Sequence, residues 1–160
     1  MIYLGIDPGL DGALAAIYED GRVEIFDTPT VTVKVTKGNK REYDLSTLTG
    51  WLRAWNLGPH VLRAAIEKVH AMPGQGVTSM FSMGYGLGWE WALAALCIPF
   101  QRVAPQTWQK VMLADEGKGK DAARLQAQRL FPGYATLFAR KKDDGRADAV
   151  LIAEYGRRTS

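Results

Sequence analysis

Cysteine is almost missing from this chain. Cys97 stands alone among 160 residues, so no internal disulfide can form and nothing points to an oxidising compartment. Histidine is nearly as scarce. With only His60 and His70 beside that cysteine, a structural zinc site of the usual Cys/His kind is excluded. No run of about 18 apolar residues is present, so no membrane-spanning helix is expected. The opening residues Met1-Ile2-Tyr3-Leu4-Gly5 lack a charged stretch followed by a long apolar one, so no signal peptide is expected and the protein reads as cytoplasmic. A dinucleotide fingerprint is lacking too. Gly84, Gly86 and Gly88 follow no strand and have the wrong spacing, which leaves no small organic cofactor in view. Charge of either sign is not in large excess. The formal net charge is +3, which permits a nucleic-acid partner without requiring one. At this length the chain reads as one domain over residues 1–160.

What is present begins with Ile2-Tyr3-Leu4-Gly5-Ile6-Asp7-Pro8-Gly9. Strand periodicity sends Ile2, Leu4 and Ile6 one way and Tyr3, Gly5 and Asp7 the other. Pro8-Gly9 then stops the strand, leaving Asp7 at its carboxyl end. Asp is a common turn opener, but open α/β sheets also keep their ligand sites at this rim. The strands Ala13–Tyr18 and Val23–Phe26 continue as an antiparallel meander. Residues 30–42 read as a hairpin extension carrying Lys34, Lys37, Lys40 and Arg41, either a solvated excursion or a basic arm for phosphates. A helix capped by Asp44 or Ser46 follows, with Leu45, Leu48, Leu52 and Trp55 at helical spacing. The next strand, Val61 to Glu67, again ends on an acid. If it lies parallel to the first, as a right-handed crossover would place it, Asp7 and Glu67 emerge side by side. Two adjacent carboxylates are costly without a cation between them.

A glycine-interrupted helix from Thr78 to Cys97, a short edge strand over Ile98–Val103, and helices over Pro105–Leu113 and Asp121–Leu130 complete the middle of the chain. The last helix runs from Gly145 to about Arg157. On a 100° wheel Asp144, Leu151, Ile152 and Tyr155 fall within about 60° of Asp148, so these two acids share the apolar stripe. A carboxylate facing the core is paired or metal-bound. Here that means either a salt bridge to Arg146 or Arg63, or a metal. Four carboxylates, Asp7, Glu67, Asp144 and Asp148, with no Cys or His, favour a hard cation such as Mg²⁺ or Mn²⁺. Two such ions can clamp an in-line displacement at a phosphate. Basic clusters at Lys118 and Lys120 and at Arg140-Lys141-Lys142 sit on separate loops and suit a polyanion.

The sequence resembles the RuvC family of Holliday-junction resolvases, specifically its phage-type branch, on the ribonuclease H-like fold. The resemblance rests on Gly5-Ile6-Asp7-Pro8-Gly9 with Gly12, Ala65-Ile66-Glu67, Met72 to Gly76 with Ser79-Met80-Phe81, Pro105 to Lys110, Gly117-Lys118-Gly119-Lys120, and Ala147-Asp148-Ala149. These matches run in family order over nearly the whole chain. The first motif alone is shared with actin-like ATPases and sugar kinases. The resemblance implies a mixed five-stranded sheet with its first three strands antiparallel, flanked by helices. It also implies a homodimer that binds four-way DNA and makes paired symmetric nicks with Mg²⁺, in the cytoplasm of a bacterial cell or a phage-infected host. Asp7, Glu67 and Asp148 match the family's metal-binding acids. The fourth acid departs from the pattern, because the position three before the last Asp is Gly145; Asp144 is the candidate and Asp143 the fallback. His70 stands where many members carry an aromatic residue implicated in opening the junction. Lys110, Lys118 and Lys120 match basic positions that meet DNA. A broader branched-DNA or RNA–DNA-hybrid nuclease, and a non-catalytic DNA-binding dimer, remain the alternative readings.

Overall fold

The computed structural model describes residues 1–69, 74, 76–114, 119 and 121–160, with backbone alone at Thr78 and Ser79. Strands β1 (Ile2–Asp7), β2 (Ala13–Tyr18) and β3 (Val23–Asp27) form the antiparallel meander. Strands β4 (Thr30–Val35) and β5 (Gly38–Tyr43) pair only with each other, as the expected hairpin. After helix α1 (Leu45–Asn56), strand β6 (Leu62–Glu67) pairs with β1 in parallel. Helix α2 (Val77–Ala95) leads to β7 (Phe100–Val103), an edge strand parallel to β6. Helices α3 (Pro105–Met112), α4 (Ala122–Leu130) and α5 (Asp144–Thr159) close the chain. The sheet order β3-β2-β1-β6-β7 puts β1 at the centre.

Local chemistry explains the elements. Asp44 caps α1, its Oδ1 accepting from the Thr47 amide at 3.1 Å. Pro105 opens α3, where its missing N–H has no cost. One sequence expectation needs correcting: the glycines at 84, 86 and 88 do not interrupt α2, which runs unbroken. Gly86 lies against Val69 and Pro8, so one of the three serves close packing, whereas a Cβ at Gly84 or Gly88 would meet open space. The 3₁₀ turns at Pro132–Phe138 and Lys141–Asp143 had no periodic signal in the sequence.

Each sheet face covers its own core. Ile2, Leu4 and Ile6 of β1 pack with Leu48 and Leu52 of α1 and Trp89 and Leu93 of α2. Ala13, Ala15 and Ala65 pack on the other face with Trp108 of α3 and with Val150, Leu151 and Ala153 of α5. The predicted parity of β1 is therefore realised, and Gly5 and Asp7 face α5. Gly5 is required there: a Cβ on it would lie 2.7 Å from the Ala153 Cβ and closer still to α5 backbone. The missing side chain lets α5 lie directly on the central strand.

Candidate functional site

β1 and β6 are parallel neighbours in a register that pairs Ile6 with Ile66, so Asp7 and Glu67 leave the sheet together at its carboxyl edge. Both share the strand face that α5 covers. The first turn of α5 reaches the same rim. A Cβ on Gly145 would lie 2.5 Å from the Asp11 carbonyl oxygen, 2.9 Å from Gly12 Cα and 3.2 Å from Asp7 Oδ2. This close approach explains why no acid occupies position 145. One turn further along, Asp148 comes near enough to Asp7 and Glu67 for the three charges to interact.

These acids resist ionisation. Burial, then Asp148 and Glu67, raise the Asp7 carboxyl well above the ordinary range. Burial, then Glu67 and Asp144, push Asp148 up to about 7. Burial raises Glu67, and a hydrogen bond from Trp108 partly offsets it. Among the described residues no basic side chain pairs with Asp7 or Asp148. Arg146, the partner expected of a structural Asp148, instead binds Asp27 with bonds of 2.5 and 2.6 Å.

The two candidates for the fourth acid sit in different surroundings. Asp143 is buried and held by Arg140, whose Nη2 and Nε donate to its two oxygens at 2.9 and 3.1 Å, and this pairing lowers its pKa. Asp144 does not lie on a buried stripe as the wheel implied. Its side chain is 54% exposed at the start of α5, with Arg124 Nε 2.8 Å from Oδ1. It nonetheless joins Lys110, Gln106, Gln109, Leu113 and Asp148 around an open groove of about 870 Å³ between α3 and α5.

The donor chemistry fits a hard divalent ion: carboxylates only, mutually repelling, with three of them facing a groove or rim and no cation of the protein's own between Asp7 and Asp148. Among the described residues no three acids form a ready-made cage; Glu67 accepts a hydrogen bond from Trp108, and Asp144 is ion-paired with Arg124. Asp7, Glu67, Asp148 and Asp144 are the residues that would hold such an ion.

The basic candidates fall in different places. Lys110 lines the groove. Lys141 and Lys142 are exposed on the turn before α5. Lys37 and Lys40 lie on the hairpin, where Lys40 pairs with Glu42 at 3.3 Å and sits over the Phe81 ring. Arg41 ties the hairpin to the site, donating from Nη1 to Asp11 Oδ1 at 2.8 Å and from Nη2 to the Leu10 carbonyl at 2.5 Å. His70, Lys118 and Lys120 lie outside the described residues.

Two aromatic residues at the site escaped the sequence reading. The Tyr43 hydroxyl accepts from the Gly9 amide and from Trp89 Nε1, each at 3.1 Å, and so braces the turn after Asp7. Trp108 Nε1 donates to Glu67 Oε2 at 2.7 Å. The only trace in the sequence is amphipathic spacing, Trp108 and Met112 on the buried side of α3 and Lys110 on the open side.

No protein-family model matches the chain. It is 34% identical over 101 residues to the chloroplastic Holliday junction resolvase MOC1 of Chlamydomonas reinhardtii, covering 61% of this chain and 11% of that protein. The match thus spans about a tenth of the curated relative. Two solved structures, Thermus thermophilus RuvC and the same protein in complex with Holliday junction substrate, are 17% and 16% identical, with TM-scores of 0.51 and 0.52. Each alignment covers 99% of this chain and 96% of the other. At that identity the likeness is one of architecture, and the chain has the mixed-sheet, ribonuclease H-like fold of RuvC.

Proposed function

We propose that this chain is a divalent-metal-dependent DNA endonuclease that resolves four-way junctions by paired nicks, acting as a homodimer. The observation that carries this reading is the convergence of Asp7, Glu67 and Asp148, from β1, β6 and α5, on one rim without a basic partner among the described residues. The relative's name supports the choice of junction DNA over other phosphodiesters. Asp7, Glu67, Asp144 and Asp148 would hold Mg²⁺ or Mn²⁺, two ions per site, and the metal would supply charge neutralisation at the phosphate and an activated water. The chain's own residues do the rest. The four acids hold the charge in place, the glycine approaches at positions 5 and 145 fix α5 against β1, and Lys110 draws the backbone phosphates into the groove.

α2 supports the dimer. Met80, Leu87 and Trp91 are exposed, and their spacing puts them along one side of the helix. A second copy laying the same stripe against it buries both. Trp91→Glu shifts the solution mass from dimer to monomer at micromolar concentration; a wild-type protein that is already monomeric there removes the dimer from the proposal.

The decisive measurement is a substrate panel with Mg²⁺: four-way junction, three-way junction, linear duplex and RNA–DNA hybrid, using wild type, Asp7→Asn and Asp148→Asn. Nicking confined to the four-way junction and abolished in both variants is the expected result. Equal cutting of linear duplex reduces the reading to a general nuclease, and full activity in both variants removes the site.

A further inference from the structure

Trp108 is wholly buried, its ring packed in the core that α5 and β6 share. A buried indole usually finds an acceptor for its N–H, and most acceptors are backbone carbonyls. Here the acceptor is Glu67, one of the acids of the proposed metal site, at 2.7 Å. The bond is charge-assisted when Glu67 is ionised. It is also stiff at the donor end, because a fully buried ring cannot swing its N–H elsewhere without repacking. It joins the end of β6 to α3. β6 ends at Glu67, and α3 begins just after β7, its neighbour in the sheet. The backbone reinforces the join, with the Lys68 amide donating to the Val103 carbonyl at 2.8 Å.

We infer that Trp108 is a positioning residue for the metal site: its indole N–H holds Oε2 of Glu67 and leaves Oε1 as the oxygen that takes a divalent cation. The inference rests on the metal-dependent reading above. Glu67 then meets the ion through a single oxygen, in an orientation set before the ion arrives. A partner bonded behind a metal ligand fixes the ligand's geometry, and its loss typically weakens metal affinity about 10- to 100-fold. A purely structural indole would leave that affinity alone and change only stability.

The test is calorimetric titration of the full-length, DNA-free protein with Mn²⁺. Wild type is compared with Trp108→Phe, with 3-benzothienylalanine at position 108, which keeps the ring shape and replaces N–H by sulfur, and with Glu67→Gln. The expected result is a loss of Mn²⁺ affinity of about tenfold or more in both position-108 variants. Junction binding in EDTA should stay at the wild-type level in both. If Trp108→Phe does not fold, the benzothienyl protein decides. Wild-type Mn²⁺ affinity in the folded position-108 variants, alongside a loss in Glu67→Gln, overturns the role of Trp108 and leaves the metal site standing. Unchanged affinity in Glu67→Gln overturns both. Loss of junction binding in EDTA marks the effect as general misfolding and also overturns the inference.

Discussion

At Asp148 burial and like charge act in the same direction. The carboxyl is pushed up to about 7, while its unfolded value is 3.8. An acid whose folded value is raised favours the native state below its unfolded value and loses that contribution as pH rises to the folded one. Asp7 and Glu67 are shifted the same way. The metal-free protein should therefore melt at a lower temperature at pH 8 than at pH 5.5, and Mg²⁺ or Mn²⁺ should restore it at pH 8 by binding only the native state. Asp148→Asn and Asp7→Asn should each raise the pH 8 melting temperature in EDTA while abolishing nicking. Thermal melts across this range check the sign, and a destabilised Asp148→Asn would show that the acid is structurally paired. The neighbouring acids separate by the same logic. Asp143 is stabilised as an ion by Arg140, so Asp143→Asn should lower the melting temperature. Asp144 is half exposed, so Asp144→Asn should melt close to wild type yet lose about tenfold or more of its nicking rate, the scale of a weakened metal site.

Among the elements, β1 and β6 were legible because period-two alternation with a terminal acid is a local signal, and their parallel pairing follows from the intervening α1. α5 was legible for a similar reason, since Asp148 interrupts an apolar face. The sheet and the meeting of Asp7, Glu67 and Asp148 at its rim thus follow from short-range pattern. The exposure of Asp144 did not, because it depends on where α5 begins relative to the 3₁₀ turn of Lys141–Asp143 and on Arg124 from α4. Nor did the Trp108 and Tyr43 bonds, each joining residues far apart in sequence. Gly5 was read as one residue of a motif. Its physical role, admitting α5 against the central strand, needed the packed structure. Gly5→Ala should therefore destabilise by about 3 kcal/mol, at the upper end for overpacking, because its Cβ would meet α5 backbone as well as Ala153. Chemical denaturation measures this, and a cost near zero would mean that α5 can shift without penalty.

On the scale of the molecule, the formal charge of +3 understates the basic character of the site side. Acidic charge is concentrated in a rim that a cation would neutralise, while Lys110 lines the adjoining groove and Lys141 and Lys142 stand on the turn leading into α5. The β4–β5 hairpin reaches the same region, anchored at the turn after β1 by Arg41. Phosphate contacts made by such residues release counterions, so their number is readable from the salt dependence of binding. Lys141→Ala with Lys142→Ala should weaken four-way junction binding in EDTA and flatten the slope of log affinity against log salt by about two, roughly one per lysine removed. Lys37→Ala on the hairpin should flatten it by about one if the arm follows the DNA backbone, and leave it unchanged if the arm is only a solvated excursion. Since neither change touches the acids, the Mn²⁺ affinity of the free protein should stay at its wild-type value in both. A loss of metal affinity together with DNA affinity would show that the turn before α5 holds the acids in place rather than the DNA.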